Sequence, residues 1–206
     1  KSQIESYFSK RTEININNLK KLPELPETEE EILNIGKFFN NKKLYFQNDA
    51  YEKLVYEDQF INSDVVAFAT HSVRGVNDSY NDRGLVLTPR NLDDVNDDGF
   101  LGSIDVSLLN FKNEPLVMLS ACNTIDSPYF KSLPFSGLPK SFMNAGANSI
   151  LMSLWNIDSY SAKIFNESLF DKSIFTRTFY LGDSLQGSMI DMINSEQYSH
   201  PYYWAP

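Results

Sequence analysis

Two stretches decide the fold: Val-Val-Ala-Phe-Ala-Thr-His at residues 65–71 and Leu-Val-Met-Leu-Ser-Ala-Cys at residues 116–122. Each is a short run of apolar side chains bounded by polar residues, which is typical of a buried strand in a parallel sheet. In open α/β sheets, reactive groups collect at the carboxyl ends of such strands. The pattern therefore predicts that His71 and Cys122, which end the two runs, lie at the same edge of a sheet.

His71 and Cys122 allow two interpretations. A cysteine paired with a histidine is the minimal set for nucleophilic catalysis by a thiolate. Alternatively, Cys122 is a small buried hydrophobe and His71 is a hydrogen-bonded or surface side chain. Asn123 and Thr124 follow Cys122 directly, which places the thiol at a polar edge and favours the catalytic hypothesis.

Length and composition limit the possible classes of protein. The chain has 206 residues, of which 42% are hydrophobic, enough for one large domain or two small ones with a sizeable core. The formal net charge is −9 and the basic residues form no stripe, which argues against nucleic acid as a partner. No apolar run reaches the roughly 18 residues of a membrane helix, and the single cysteine allows no internal disulfide. We therefore expect a cytoplasmic protein without nucleic-acid or membrane contacts.

Helix and strand patterns alternate along the chain. Thr28 and Glu31 form a capping-box pattern before apolar residues at helical spacing, which predicts a helix over 28–40. Ser103 is expected to cap a short helix, and Asp158 to begin a longer one. Further strands are predicted at 43–46, 85–87, 150–154 and before His71 and Cys122, and further helices from Asp49 to Phe60, over 138–145 and over 183–193. This order implies an α/β fold with a mainly parallel sheet and helices on both faces.

Several short motifs follow one another along most of the chain. They lie at residues 22–32 (LPELPETEEEI), 68–71 (FATH), 84–89 (GLVLTP), 98–101 (DGFL), 119–124 (LSACNT), 137–146 (GLPKSFMNAG), 153–158 (SLWNID) and 200–205 (HPYYWA). Together they resemble the motifs of the CHAT domain, a caspase-like peptidase domain related to separase, gingipain and the caspases. Each motif is weak alone, but their order is similar to the family's order.

The resemblance implies a caspase-like three-layer sandwich and a cysteine endopeptidase that cleaves a protein or peptide substrate. It implies His71 as the base, Cys122 as the nucleophile, and the backbone N–H groups of Ser72 and Cys122 as donors to the oxyanion. CHAT domains often stand beside tetratricopeptide repeats, so regulatory domains in the same chain or a partner chain are expected, as in bacterial regulated proteolysis. The family implies neither a cofactor nor a metal.

Two other classes of function remain open. The domain could be a catalytically silent CHAT interaction or scaffold module, although the presence of both His71 and Cys122 argues against this. A small-molecule α/β enzyme is disfavoured because the sequence has no Gly-rich phosphate loop of the GxGxxG or GxxxxGK[ST] type.

The sequence departs from the family pattern at three places. Ser72 stands where many members have glycine; a backbone donor survives this change, but the side chain narrows the space beside it. The family's PDGxLxxLPF strand is not found before Lys1, and its FxLxG strand is not found after Pro206. We therefore expect residues 1–206 to be a single CHAT domain taken from a longer protein.

Asp158 is a candidate for the S1 pocket, because it ends a Trp-Asn-Ile-Asp segment where separase has a related segment. Its carboxylate would then pair with a basic P1 side chain. The alternative is that Asp158 only caps the following helix. Another related group has Asp two residues before the catalytic Cys, and Ser120 at that position disfavours a basic P1.

A calcium loop is a further alternative near the middle of the chain. Asp94, Asn96, Asp98 and Asp105 occupy positions 1, 3, 5 and 12 of such a loop, with Gly99 at position 6. However, position 12 is Asp rather than Glu, the preceding residues predict a strand rather than a helix, and the Asp-Gly turn belongs to the CHAT pattern. The sequence therefore favours a structural turn without metal.

Two long polar segments, 72–83 and 123–136, follow the two predicted catalytic residues. Polar loops beside a catalytic site often shape a substrate cleft, and their ordering is a common means of control. We therefore expect an isolated domain of low activity, which a neighbouring domain or an effector activates.

Overall fold

A computed structural model describes residues 22–74, 83–91, 94, 97–121, 137–155, 157–175 and 181–205. This part of the chain divides into two compact units. The first unit contains residues 22–24 and Tyr45–Met152, and the second contains Leu25–Leu44 and the chain from Ser153 onward. That the two behave as one domain stays a prediction.

Helices and strands alternate, as the sequence predicts. The described helices are α1 (Pro26–Gly36), α2 (Asp58–Ile61), α3 (Ser103–Ser107), α4 (Leu138–Asn144), α5 (Ser159–Phe175) and α6 (Leu181–Asn194). The described strands are β1 (Val65–Ala69), β2 (Ser72–Arg74), β3 (Arg83–Val86), β4 (Phe100–Gly102), β5 (Leu116–Ser120) and β6 (Ser149–Met152). Within these ranges, no helix is both long enough and apolar enough to cross a bilayer.

A parallel sheet in the order β1-β5-β6 lies in the first unit. Its register runs from Val65 opposite Leu116 to Ala69 opposite Ser120, without a break. β5 has neighbours on both edges, and its first four side chains are buried. This burial explains why β5 is an unbroken apolar run rather than an alternating pattern. The predicted fold class, α/β with a parallel sheet flanked by helices as in caspase-like proteins, is confirmed.

An antiparallel sheet in the order β2-β3-β4 continues from the end of β1, where the sequence predicted a loop. Its centre depends on a glycine in β3: a Cβ at Gly84 would lie 2.5 Å from the ring of Phe100 and 2.8 Å from the carbonyl oxygen of Leu101. Because real Cβ atoms do not approach so closely, only glycine lets the Phe100 ring pack directly on the backbone of β3.

Four phenylalanine rings join the helices of the first unit to the parallel sheet. Phe68 of β1 contacts Phe142 of α4 and Phe60 of α2, with centroids 5.9 and 6.0 Å apart. The Phe111 ring contacts both helix rings, with its centroid 5.9 Å from that of Phe60 and 6.5 Å from that of Phe142. Aromatic pairs at these distances are worth about 0.5–1.5 kcal/mol each beyond the area they bury. They fix β1, and with it the residues that follow β1.

The second unit is helical, with α5 packed against both α1 and α6. Asp191 of α6 accepts hydrogen bonds from Lys172 and Ser168 of α5, each at 2.8 Å. The segment after α6 is anchored by tryptophans: Trp155 Nε1 donates to the carbonyl of Tyr202 at 3.2 Å. Trp204 Nε1 donates in the same way to the carbonyl of Ser199 at 3.0 Å.

The predicted capping box at Thr28 and Glu31 is wrong. α1 begins earlier, at Pro26, so Thr28 lies inside its first turn and its hydroxyl donates to the carbonyl of Leu25 at 2.6 Å. The Glu31 side chain points inward instead of back to the N-cap, and its Oε1 accepts from Asn166 at 2.7 Å. A proline at the first helical position needs no N–H partner, which explains the earlier start.

Other boundaries also differ from the sequence prediction. Residues 43–46 form no strand, and the helix predicted from Asp49 is replaced by short 3-10 turns and α2. Gly102 rather than Ser103 is the N-cap of α3, and its N–H donates to the carboxylate of Asp105 at 2.8 Å.

Candidate active site

The adjacent strands β1 and β5 bring their carboxyl ends to one edge of the parallel sheet. Ala69 opposite Ser120 is the last pair, and the N–H of Thr70 donates to the carbonyl of Ser120 at 3.2 Å. His71 comes two residues after the last paired residue of β1, and Cys122 comes two residues after that of β5. Cys122 lies outside the described residues, which end on this strand at the buried Ala121.

The backbone around His71 is held at the junction of the two sheets. The carbonyl of His71 accepts from the N–H of Val86 in β3 at 2.9 Å. One residue earlier, the Thr70 hydroxyl donates to the carbonyl of Val86 at 2.6 Å. Since Thr70 is also bonded to β5, the histidine backbone is fixed by strands on both sides. Such bonds restrict the motion that would otherwise misplace a catalytic group.

The imidazole of His71 is oriented by a backbone carbonyl. Its Nε2 lies 2.7 Å from the carbonyl oxygen of Pro23. A carbonyl oxygen can only accept, so Nε2 must carry the hydrogen of this bond. In the neutral ring, Nδ1 is then the unprotonated nitrogen and can accept a proton. No sequence pattern indicates this role for Pro23, because any residue can supply a backbone carbonyl.

Ser72 presents its backbone N–H away from β3. His71 and Val86 form a hydrogen-bonded position of the ladder, and Ser72 opposite Leu85 is therefore the next, non-hydrogen-bonded pair. The N–H of such a residue points outward from the partner strand. The Ser72 hydroxyl oxygen is buried and has no hydrogen-bond partner. The backbone N–H of Ser72 is therefore not used within the antiparallel ladder.

Asp158 caps α5, as the alternative interpretation predicted. Its Oδ1 accepts from the N–H of Ser161 at 2.9 Å, and its carbonyl accepts from the Ser161 hydroxyl at 2.7 Å. The side chain of Asp158 is exposed. Asp158 belongs to the second unit, whereas His71 and Ser72 belong to the first. The S1 role of Asp158 stays a prediction.

The candidate calcium ligands have other partners. Asp94 binds Lys53 Nζ at 2.8 Å, and this hydrogen bond raises the pKa of Lys53. Asp98 and Asp105 each accept from a backbone N–H of β4 at 2.8 Å. Asn96 lies outside the described residues. In the part of the chain that the structure describes, no three His, Cys, Asp or Glu side chains converge as a metal site.

A comparison with models of protein families identifies the family of the chain. The family model of the CHAT domain matches residues 9–206, nearly the whole chain. No curated protein matches the chain. The matched range includes every residue of the candidate site described above.

Proposed function

Because the chain belongs to the CHAT domain family, which is related to the caspase-like cysteine peptidases, we propose that it is a cysteine endopeptidase with His71 and Cys122 as its catalytic dyad. The observation that carries the proposal is the position and hydrogen bonding of the His71 imidazole. His71 comes two residues after Ala69, which pairs with the last residue of β5, and a 2.7 Å bond to the Pro23 carbonyl assigns its Nε2 as the protonated nitrogen.

The first step uses the nitrogen that this bond leaves free. Nδ1 of His71 removes the proton from the Cys122 thiol, and the thiolate forms a bond with the carbon of the scissile carbonyl. The imidazolium keeps its Nε2–H bond to Pro23, which accepts more strongly from a charged ring. The imidazolium then gives the Nδ1 proton to the amine as the C–N bond breaks. Water attacks the remaining thioester and releases the acid product, with His71 again acting as the base.

The tetrahedral intermediate carries a negative oxygen that needs fixed donors. We assign the backbone N–H groups of Ser72 and Cys122, since the ladder directs the first of them away from β3. Removing one donor of this kind typically lowers kcat by about 100- to 1,000-fold. A backbone donor is independent of the side chain, so serine in place of the family's glycine keeps it.

The finer parts of the proposal concern substrate and control. The substrate is a protein or peptide, and Asp158 is the candidate for binding a basic P1 side chain. Regulatory domains in the same chain or a partner chain would switch the activity, as in regulated proteolysis. A cytoplasmic location suits a thiolate nucleophile, because a reducing compartment keeps a single cysteine free.

Labelling with a peptide-based acyloxymethyl ketone tests the dyad. The chain contains one cysteine, so a single adduct located by mass spectrometry must be on Cys122. We expect labelling of the unaltered protein, none with Cys122→Ala, and at least 100-fold slower labelling with His71→Ala. Circular dichroism shows whether both variants are folded. A folded, unaltered protein that neither labels nor cleaves peptides, with or without its regulatory domains, would instead be the silent interaction module.

A further inference from the structure

We propose that an apolar band on α6 is a docking surface for a partner helix that carries lysine or arginine beside its own apolar face. The band consists of the larger apolar side chains that lie away from the buried face of α6: Leu185, Met189, Ile190 and Ile193. The band and the residues around it belong to the second unit. Docking at this surface goes beyond the proposed peptidase activity and does not depend on it.

The buried face of α6 is made mostly of small side chains. Its buried residues are Ser184, Ser188 and Met192, which form one line at four-residue spacing. α6 contacts α5, and the two helices come close at Gly187, where an added Cβ would lie 2.7 Å from Cδ of Lys172. Small residues allow this close approach. The larger apolar side chains of α6, apart from Met192, are therefore left outside the buried face.

The apolar band is open to solvent. Leu185, Met189 and Ile193 form a second line at four-residue spacing. Ile190 lies beside this line and is 49% exposed, and Ile193 is 44% exposed. Gly182 is on the same side of the helix, and a Cβ added there would have no atom within 4 Å. A surface helix normally turns its apolar stripe towards the core, so an apolar stripe on the outer side marks a site of interaction.

The surroundings of the apolar band are acidic. Residues 181–199 contain Asp183, Asp191 and Glu196 but no lysine or arginine. Asp191 binds Lys172 at 2.8 Å. Asp183 and Glu196, which stand before and after the band in the chain, are exposed and have no ion-pair partner in the described part of the chain. The last turn of α6 contains no basic residue, so no side chain of the helix offsets the partial negative charge of its C-terminal carbonyls. This surface therefore attracts a cationic partner and repels an anionic one.

The shape and the charge of the apolar band select a basic helix as its occupant. α6 has 14 residues and is therefore about 21 Å long, which suits a partner helix of about four turns. An extended segment would need an exposed strand edge, and the surface of a helix offers none. A second copy of this chain would bring the same carboxylates to the contact, and an anionic lipid surface would also be repelled. A helix with lysine or arginine beside an apolar face fits both the band and its surroundings.

Two synthetic amphipathic peptides of equal length test the proposal. Both carry the same leucine stripe at helical spacing, but one has lysine beside the stripe and the other has glutamate at the same positions. Each peptide is titrated into the whole chain; amide NMR spectra locate the contact, and isothermal titration calorimetry gives the Kd. The test variant is Ile193→Ser. Leu33→Ser is its matched control, because Leu33 of α1 lies in the same unit and is 43% exposed. Asp183→Asn tests the contribution of charge.

We expect the lysine peptide to bind and to shift the amide signals of residues 182–193, and the glutamate peptide not to bind. Ile193→Ser should raise the Kd about tenfold, and Asp183→Asn should raise it about two- to threefold. Leu33→Ser should leave the Kd unchanged. Should Ile193→Ser not fold, as judged by circular dichroism, Ile190→Ser must give the same loss of affinity.

Four results would overturn the proposal. They are a lysine peptide that does not bind the folded protein, equal binding of the two peptides, equal loss of affinity in Ile193→Ser and Leu33→Ser, and amide shifts confined to elements other than α6. Self-association in sedimentation velocity that Ile193→Ser abolishes would identify a second copy as the occupant and would overturn it as well. Binding of the lysine peptide by a chain without peptidase activity would leave this proposal standing and count against the proposed function alone.

Discussion

Replacing Asp158 separates its structural role from its proposed role in substrate binding. Asp158→Ala removes the Oδ1 acceptor that caps α5 through the N–H of Ser161 at 2.9 Å. Asp158→Asn keeps an equivalent acceptor, since Asn and Asp are similar as N-caps, but removes the negative charge. Both variants therefore lose the negative charge, but only Asp158→Ala also loses the cap.

The size of the effect on stability follows from the cap. Loss of an N-cap side chain typically costs about 1 kcal/mol of folding stability. Because the side chain of Asp158 is exposed, its removal loses no further stability through buried surface. For a chain of 206 residues, about 1 kcal/mol corresponds to a melting temperature lower by roughly 2–4 °C. We expect this decrease for Asp158→Ala and less than about 1 °C for Asp158→Asn.

The effect on catalysis follows from the charge. A desolvated pair between Asp158 and a P1 Arg or Lys is worth at least about 2 kcal/mol, so its loss should lower kcat/KM about 30-fold or more. Both variants should show this decrease with a basic P1 and no change with a P1 Leu in the same peptide. The assay is a paired set of fluorogenic peptides, run beside a thermal melt of each variant.

Two results would refute this reasoning separately. If Asp158→Asn is destabilised as much as Asp158→Ala, the cap does not account for the stability. If Asp158→Asn cleaves the basic-P1 peptide as well as the unaltered protein does, the S1 assignment is wrong and the residue is a helix cap alone.

Three further predictions concern other parts of the chain. In a denaturant titration, Gly84→Ala should destabilise the folded protein by about 1–3 kcal/mol, because the added Cβ would lie 2.5 Å from Phe100. Gly182→Ala should be neutral or stabilising, because its added Cβ would have nothing within 4 Å. The hydrogen bond from Lys172 lowers the pKa of Asp191, so the pair stabilises the fold above the pKa of the unfolded carboxyl, and this stabilisation is lost as the pH falls through the pKa of the folded carboxyl. In thermal melts, Lys172→Met should therefore cost up to about 0.5 kcal/mol at pH 7 and progressively less as the pH is lowered through that range. The isolated chain should cleave peptides slowly, and faster in the presence of a regulatory domain or an effector; full activity of residues 1–206 alone would contradict the proposed control.

β1 and β5 could be predicted because almost all of their residues are apolar. β1 and β5 are unbroken apolar runs, a pattern that local sequence shows directly. β2 and β4 have three residues each, too few for any periodicity, and form only by pairing with β3. Pairing partners are set by tertiary contacts that a single stretch of sequence does not contain.

The wrong capping box in α1 and the missed hydrogen-bond acceptor of His71 have the same physical origin. Glu31 fits a local capping box, but its carboxylate bonds to Asn166, which is 135 residues away. The acceptor for His71 is a backbone carbonyl, which has no residue signature, and Pro23 lies 48 residues before the histidine. Long-range partners of this kind cannot be deduced from spacing, whereas Asp158 could be recognised as a cap because its partner is three residues away.

The anchoring of both tryptophans in the second unit makes tryptophan fluorescence a probe of that unit alone. Trp155 and Trp204 are the only tryptophans in the sequence, and both lie after Ser153, so emission that is excited selectively from tryptophan originates there. Far-ultraviolet circular dichroism, in contrast, also records the sheets of the first unit. A single cooperative domain must give the same midpoint by both methods, whereas separately folding units give two. Two optical measurements on the unaltered protein thus report directly on how strongly the two units depend on each other.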